Sequence, residues 1–294
     1  MPFAHVNGTT LYYEITGKGT PIVFIHPPLL TSENFAYQRE QLADDFQIIT
    51  FDIRGHGKSN PSDRTISYSL IVEDIRQLLD FVGIEKAFLC GYSTGGSLVL
   101  EALLMYPKRF LGGIVVSGMS EISDVYNKSS IWLASQMFGS IFLKKLLLRA
   151  IAHGNADKDE TYHHLFWSSL KTVGGIGGNV RQYFQCSLTY NCTHRLSTIG
   201  HPMLLIFGQE DHRFLRYGKL LRNRLPHSSL YLIKDAKHQI PTKNAERMND
   251  LIRLWIPSLQ DQQTERVKLD LEIARKLNPA MYGQNELSQS MHLS

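Results

Sequence analysis

Three residues in this sequence carry the side chains needed for nucleophilic catalysis, and they occur in the order serine, aspartate, histidine. Ser93 has a glycine two positions away on each side, Asp211 follows the apolar run 202–207, and His238 follows the apolar run 229–233. A serine hydroxyl is a weak nucleophile at neutral pH, so it needs a histidine base and an acid that orients that base. The three residues therefore predict acyl transfer through an activated serine.

The residues around Ser93 must place its side chain at the tip of a sharp turn. Residues 87–90 form a short apolar run typical of a buried strand, and residues 98–105 form an apolar run of helical length. A strand that turns directly into a helix strains the backbone of the turn residue, and only small neighbours allow so close an approach. The glycine-rich stretch 91–96 therefore predicts a turn that exposes the serine.

Other apolar runs of strand length alternate with helical patterns along the chain. The β-prone runs within residues 3–15 flank Asn7-Gly8, a dipeptide that favours a two-residue hairpin turn. The predicted buried strands are 21–26, 46–51, 87–90, 110–116, 202–207 and 229–233. Strands that alternate with helices indicate an α/β fold with a mostly parallel central sheet flanked by helices. Binding residues of such sheets lie beyond the carboxyl ends of the strands, where all three candidate residues fall.

One interval breaks this alternation. Residues 121–199 show several helical segments rich in aromatic side chains and no strand pattern, which predicts a helical cap inserted over the sheet. The predicted organisation is a core in two parts, 1–120 and 200–257, separated by the cap. Residues 258–294 are polar and predict a C-terminal tail, helical and then disordered.

Composition and charge exclude several kinds of partner. The chain has 31 basic and 27 acidic residues and no concentrated basic run, so no nucleic acid partner is expected. The apolar run 131–148 is interrupted by Gln136, Lys144 and Lys145, whereas a spanning helix needs about 20 mostly apolar residues. No membrane partner is therefore expected.

The remaining sequence features favour a cytoplasmic protein that is a monomer or a homodimer. The first residues show no secretory signal pattern, and three cysteines are an odd number, which argues against a disulfide framework. No spacing of metal ligands is evident, and the predicted chemistry requires no cofactor.

At these residues the chain resembles the α/β-hydrolase fold superfamily, in its capped carboxylesterase, lactonase and peroxidase-like branch. The resemblance covers most of residues 10–256. It rests on His26 at a strand end, the loop DIRGHGKS at 52–59, the turn GYSTG at 91–95, the segment GQED at 208–211 and the segment AKH at 236–238. The resemblance implies that Ser93 is the nucleophile, that His238 is the general base and acid, and that Asp211 orients His238. It also implies that the backbone N–H of Thr94 is one oxyanion donor.

Two other carboxylates compete with Asp211 for the role of the acid. Glu210 is its neighbour, and Asp124 lies at an alternative position used by some members of the superfamily. Asp211 is the preferred candidate because it occupies the usual position.

The sequence departs from the superfamily pattern at Pro27-Pro28. Related proteins carry a residue at position 28 whose backbone N–H is the second oxyanion donor, and proline has no N–H. Loss of one such donor typically costs about 3 to 4 kcal/mol of transition-state stabilisation. The N–H of Leu29, the hydroxyl of Tyr92 or a water could take its place.

The expected substrate is a small apolar ester or lactone, because the aromatic cap predicts an enclosed apolar pocket. The residues expected to line it are His26, Pro28, Tyr92, Trp132 and Phe138. Carbon-carbon bond hydrolysis or cofactor-free perhydrolysis on the same triad is an alternative. A ligand-binding signalling module of the same fold is another.

Overall fold

The computed structural model describes residues 2–174 and 178–259. Residues up to Asp250 form one compact unit, and the helical residues 251–259 belong to a second one. Residues 260–294, which make up nearly all of the predicted tail, lie outside the described residues, and the four-part division of the chain stays a prediction. Within the described ranges, no helix is long and apolar enough to cross a membrane.

An eight-stranded sheet lies at the centre of the described part of the first unit. Its strands are β1 (Phe3–Val6), β2 (Thr9–Thr16), β3 (Thr20–Ile25), β4 (Phe46–Phe51), β5 (Ala87–Tyr92), β6 (Phe110–Val116), β7 (Met203–Gly208) and β8 (Ser228–Ile233). Their order is β1-β2-β4-β3-β5-β6-β7-β8. β1 with β2 and β2 with β4 are antiparallel, and every other neighbouring pair is parallel. The predicted mostly parallel α/β sheet is confirmed.

Helices connect most of the strands. They are α1 (Ala36–Gln41), α2 (Tyr68–Phe81), α3 (Thr94–Met105), α4 (Val125–Gln136), α5 (Ile141–Asn155), α6 (Asp159–Gly174), α7 (Gly178–Thr189), α8 (Leu215–Arg224) and α9 (Ile240–Lys243). Short 3-10 turns span Ser32–Phe35, Met137–Gly139 and Thr193–Thr198. Residues 245–250 are also helical.

Local sequence explains where these elements begin and turn. Asn7 and Gly8 have φ angles of 48° and 73°, so the β1-β2 connection has the two positive angles that its Asn-Gly dipeptide favours. Ser67 caps α2, because its hydroxyl oxygen accepts the backbone N–H of Leu70 at 3.1 Å. Every residue of β5 is buried, as expected for a strand covered on both faces.

The described residues between β6 and β7 form the helices α4 to α7 and no strand. An isolated antiparallel bridge between Glu121 and Asn191 joins the two ends of this helical insertion. Inside the insertion, Phe138, Leu148, Val180 and Phe184 form a buried apolar cluster, and the cluster includes Leu29 from the loop after β3. The insertion therefore packs directly on the loop whose proline residues depart from the superfamily pattern.

Candidate active site

Ser93 lies at the turn between β5 and α3 in a strained backbone conformation. Its φ and ψ angles are 54° and −121°, a combination that residues other than glycine rarely adopt. The turn is held by two hydrogen bonds: the N–H of Ser93 donates to the carbonyl of Val116 at 2.8 Å, and the N–H of Gly96 donates to the carbonyl of Ser93 at 2.9 Å. The strand-turn-helix geometry expected from the sequence is therefore present around the serine.

Glycine is required on both sides of Ser93 because of how closely the elements approach. A Cβ atom at Gly91 would lie 2.1 Å from the carbonyl oxygen of Gly95, and one at Gly95 would lie 2.2 Å from the carbonyl oxygen of Ile25. Both contacts are with backbone atoms, which cannot move aside as a flexible side chain can. The spacing of the two glycines thus follows from the packing of α3 against β5 and β3.

The structure brings Ser93, His238 and Asp211 into one hydrogen-bonded chain. The Nε2 atom of His238 lies 3.1 Å from the Oγ atom of Ser93, and its Nδ1 atom lies 2.8 Å from the Oδ2 atom of Asp211. Asp211 follows β7 and His238 follows β8, so neighbouring parallel strands deliver the two side chains to the same edge of the sheet. The geometry is that of a base in contact with its nucleophile and held by an acid.

Two aromatic rings lie next to the imidazole of His238. The ring centroid of Phe214 lies 4.0 Å from that of His238, and the centroid of Tyr92 lies 5.3 Å from it. The N–H of Phe214 also donates to the Oδ1 atom of Asp211 at 3.3 Å. Phe214 therefore touches both members of the pair. Sequence reasoning missed it, because nothing in its local pattern distinguishes it from a core phenylalanine.

Asp124, the competing acid, is engaged elsewhere. Its Oδ1 atom accepts the N–H of Asn127 at 2.8 Å as the N-cap of α4. Its other oxygen accepts the hydroxyl of Tyr217 and lies 3.1 Å from the guanidinium of Arg216. Glu210 is exposed. Among the three carboxylates, the structure brings Asp211 alone to His238.

The loop after β3 forms a turn with Pro28 and Leu29 at its centre. Leu29 has a φ angle of 70°, and proline followed by a residue with positive φ is the pattern of a type II turn. In the described part of the chain, neither the N–H of Leu29 nor that of Thr94 has a hydrogen-bond acceptor. A leucine held at positive φ costs about 1 to 3 kcal/mol, so the surrounding contacts must enforce the turn.

His26 and Asp52 fasten this turn to the loop after β4. The Nε2 atom of His26 accepts the N–H of Ile53 at 2.9 Å, so its Nδ1 atom carries the proton and donates to the carbonyl of Pro27. Asp52 accepts both the N–H and the hydroxyl of Ser32, at 2.8 and 2.7 Å. His26 is fully buried, with both ring nitrogens occupied. His26 positions the turn through these two bonds, and its place in the lining of a pocket stays a prediction.

Tyr92 and Trp132, two of the other expected pocket residues, lie in different surroundings. The hydroxyl of Tyr92 donates to the Oδ1 atom of Asn155 at 3.1 Å, so it faces the end of α5 and is not free to stabilise an oxyanion. Trp132 is 56% exposed on α4. Phe138 and Pro28 are buried, and Phe138 packs in the cluster that contains Leu29. An enclosed apolar pocket at Ser93 stays a prediction.

A cavity of about 260 Å³ lies between α1 and α6, with Tyr37, Arg39, Lys158 and His164 in its walls. None of the three candidate catalytic residues lines it. In the described residues, no group of three or more histidine, cysteine or acidic side chains could hold a metal ion.

Two buried histidines near the turn, His26 and His56, have lowered pKa values. Burial lowers the pKa of His26 to about 4 and that of His56 to about 3, and the charge of His26 further lowers the pKa of His56. The ring centroids of the two side chains are 5.3 Å apart. Both imidazoles are therefore neutral in the folded protein at neutral pH.

We expect the free energy of unfolding to fall as the pH is lowered from about 6.5 to 4, because the unfolded chain then binds more protons at His26 and His56 than the folded chain does. Each histidine contributes up to about 1.4 kcal/mol per pH unit in this window. Urea unfolding at a series of pH values measures the slope. The variant His56→Gln should show a shallower slope than the wild type. An unchanged slope in His56→Gln would contradict the assignment.

Comparison with known proteins identifies relatives over most of the chain. The profile of the alpha/beta hydrolase fold family matches residues 20–244. The chain is 34% identical over 263 residues to a protein of Azorhizobium caulinodans that carries the name carbamate hydrolase RutD, covering 86% of this chain and 97% of the relative. It is 25% identical over 253 residues to serine hydrolase BPHL of Homo sapiens, covering 84% of this chain and 82% of the relative.

Solved structures share the same fold at low sequence identity. An esterase of Exiguobacterium antarcticum superposes with a TM-score of 0.76 at 19% identity, covering 87% of this chain and 98% of that one. A bromoperoxidase of Bacillus anthracis superposes with a TM-score of 0.74 at 23% identity, covering 85% of this chain and 96% of that one. At these identities the likeness concerns the fold alone.

Proposed function

The chain belongs to the alpha/beta hydrolase fold family and is a hydrolase enzyme of that fold, and from this premise we propose that it cleaves a small ester or lactone as a serine hydrolase. The observation that carries the proposal is the hydrogen-bonded chain from Ser93 through His238 to Asp211, with distances of 3.1 and 2.8 Å. A serine at a strained strand-to-helix turn, already in contact with an oriented imidazole, has the arrangement that nucleophilic catalysis needs.

The proposed reaction proceeds in two steps through an acyl-enzyme. The Oγ atom of Ser93 attacks the substrate carbonyl while Nε2 of His238 takes its proton, and the same proton then passes to the departing alkoxide. In the second step His238 takes a proton from water, which attacks the acyl-enzyme and releases the acid and Ser93. Asp211 accepts the Nδ1–H of His238 throughout, which fixes the tautomer and stabilises the imidazolium that forms.

We propose the backbone N–H groups of Thr94 and Leu29 as the oxyanion donors. Thr94 is the first residue of α3, where helical N–H groups have no intrahelical partner and the helix dipole favours negative charge. Leu29 is one residue beyond Pro28, and its positive φ and unpaired N–H support its role as the second donor. The turn thus supplies by backbone conformation the donor that Pro28 lacks.

Replacing Pro28 with glycine is expected to lower kcat/KM for a short-chain aryl ester about fivefold, because a freely rotating residue costs about 1 kcal/mol of turn preorganisation. Steady-state kinetics on the variant, with circular dichroism to verify folding, measure the effect. A rise of 100-fold or more would instead show that an N–H at position 28 is the missing donor and that Leu29 does not replace it.

We propose that the acyl group is small, because the apolar cluster of the insertion packs on Leu29 in the loop after β3. The name of the relative from Azorhizobium caulinodans adds carbamates to the compounds worth testing. A panel of short aryl esters, lactones, carbamates and diketones, with hydrogen peroxide as an alternative acyl acceptor, separates ester hydrolysis from other chemistry on the same three residues.

Labelling with a fluorophosphonate tests the proposal without knowledge of the substrate. An activated serine reacts with this reagent and an ordinary one does not, so the folded protein should carry one adduct, which peptide mass spectrometry should map to Ser93. Labelling should disappear in urea, where His238 no longer contacts the hydroxyl. Folded protein with no adduct on Ser93 would overturn the proposal and favour a ligand-binding role.

A further inference from the structure

The outer surface of the helical insertion exposes large apolar side chains around one corner. Here α4 ends, the turn Met137–Gly139 follows and α5 begins. Exposed large apolar side chains occur on both sides of this corner, and we call them the outer face: Trp132 and Leu133 on α4, and Phe142, Leu143 and Leu146 on α5. Phe142 is 72% exposed. Soluble monomers rarely concentrate exposed apolar residues in this way, so the face indicates an interaction surface.

The exposed residues are additional to those that hold the insertion together. On α5, Leu148 is buried and Leu147 and Ile151 are half-buried against the apolar cluster, so the core-facing stripe of this helix is complete. Phe142 and Leu146 are four residues apart and lie on the opposite, solvent-facing stripe. The folding of α5 therefore does not account for them.

Basic residues accompany the apolar ones on the outer face. Lys128 lies four residues before Trp132 on α4, and Lys145 and Arg149 lie four residues apart on α5, all three exposed. In the part of the chain that the structure describes, none of the three is within ion-pair distance of a carboxylate. The segment 125–156 contains no aspartate or glutamate. The face thus combines apolar side chains with unpaired positive charge.

We propose that this outer face docks on the surface of an anionic phospholipid bilayer. Trp, Phe and Leu side chains insert among the lipid headgroups and upper acyl chains, while Lys and Arg beside them pair with anionic headgroups. A second copy of the chain fits less well, because a twofold contact would bring the cations of both copies together with no carboxylate from this segment to neutralise them.

Lys144 and Lys145 argue against a membrane-spanning helix but favour a helix that binds at the membrane surface. The sequence predicts no membrane partner because Lys144 and Lys145 interrupt the run 131–148, and the described structure indeed contains no spanning helix. A helix that lies in the membrane surface needs such cations, because it stays at the polar boundary and does not enter the hydrocarbon. In the structure Lys144 lies over the ring of Phe138, 5.7 Å from its centroid, while Lys145 points to solvent.

Vesicle binding by the full chain tests the proposal independently of catalysis. The protein is sedimented with phosphatidylcholine vesicles that contain either no phosphatidylserine or about 30% phosphatidylserine, at about 0.1 M salt. We expect binding to the anionic vesicles that weakens at high salt and is at least about tenfold weaker without phosphatidylserine. The variant Phe142→Ser should lower the partition coefficient about tenfold.

Matched variants distinguish binding through the outer face from nonspecific hydrophobic or electrostatic binding by other parts of the surface. Phe81→Ser removes an equally large side chain, 52% exposed on α2, and should bind as the wild type does. The pair Lys145→Gln and Arg149→Gln should weaken binding, whereas Lys219→Gln with Arg222→Gln on α8 should not. The proposal is overturned by absence of binding to anionic vesicles, by equal effects of Phe142→Ser and Phe81→Ser, or by a dimer that Phe142→Ser dissociates without any vesicle binding.

Discussion

Replacing Ser93 with alanine is expected to lower kcat for a short-chain aryl ester by about 10⁴- to 10⁶-fold, the range typical for loss of an activated nucleophile. The change removes the atom that we propose to form the covalent intermediate, while the proposed oxyanion donors remain. Because alanine tolerates a φ of 54° no better than serine does, the free energy of unfolding should change by less than about 1 kcal/mol. Steady-state kinetics and urea unfolding on the same preparation measure both quantities.

Ser97→Ala is the matched control for Ser93→Ala. Ser97 lies one turn further along α3, and its hydroxyl donates to the carbonyl of Met119, away from His238. Loss of this buried hydrogen bond should cost about 1 kcal/mol of stability and leave kcat within a few-fold of the wild type. Equal losses of activity in the two variants, or turnover retained in Ser93→Ala, would show that Ser93 is not the nucleophile.

A further variant, Ser93→Gly, relates the strain at the turn to its use. Glycine adopts positive φ without penalty, so this variant should be inactive yet more stable than the wild type by about 1 kcal/mol or more. Greater stability with lost activity would mean that the chain keeps a strained residue here for its side chain. The hydrogen bonds from Ser93 and Gly96 show what holds that strain in place.

The parts of this site that could be predicted from sequence are those set by local pattern and strand order. β4 and β6 have the predicted boundaries, because continuous apolar runs of six or seven residues are buried on both faces. Ser93, Asp211 and His238 each follow a strand of the parallel part of the sheet. Because the carboxyl ends of parallel strands lie at the same edge, the three side chains are predicted to lie there together. For this reason, a single sequence can predict which side chains meet at the carboxyl ends of parallel strands.

The parts that could not be predicted depend on which face a side chain takes and on long-range partners. Trp132 and Ile131 are neighbours on α4, yet Ile131 packs on the apolar cluster and Trp132 faces solvent, since successive helical residues point about 100° apart. The bond from Tyr92 to Asn155 joins residues 63 positions apart. No local pattern specifies such a pair, so the sequence could suggest Tyr92 as an oxyanion donor although its hydroxyl is already used.

The turn at Pro28 and Leu29 could be predicted in part from the sequence. The loss of an N–H at Pro28 is visible in the sequence, but its consequence depends on the backbone that follows. His26 bonds to the carbonyl of Pro27 and Asp52 bonds to Ser32. Leu29, with a φ angle of 70°, has an N–H with no acceptor among the described residues. A feature that in isolation predicts a weakened site is therefore compatible with the donor that we propose at Leu29, once these contacts are included.

Replacing Asp211 with asparagine is expected to lower kcat about 10⁴-fold at neutral pH. The amide keeps the size of the side chain, but its NH₂ group can donate to Nδ1 of His238. This favours the tautomer with the proton on Nε2, which cannot accept the proton of Ser93. Because the Oδ2 atom of Asp211 lies 2.8 Å from Nδ1, the change acts directly on the bond that orients the base. Kinetics over a range of pH should show the loss to be smaller at alkaline pH, where hydroxide can replace the missing base.

Asp124→Asn distinguishes the preferred acid from its competitor. Asp124 caps α4 and lies beside Tyr217 and Arg216, so its replacement should cost about 1 kcal/mol of stability and leave kcat within a few-fold of the wild type. Glu210→Gln, at the exposed neighbour of Asp211, should change neither quantity. If Asp124→Asn lost activity as severely as Asp211→Asn while remaining folded, the carboxylate that caps α4 would be part of the proton path. The contacts that occupy both of its oxygens predict the opposite, because an acid that already caps a helix and pairs with an arginine has no oxygen left for His238.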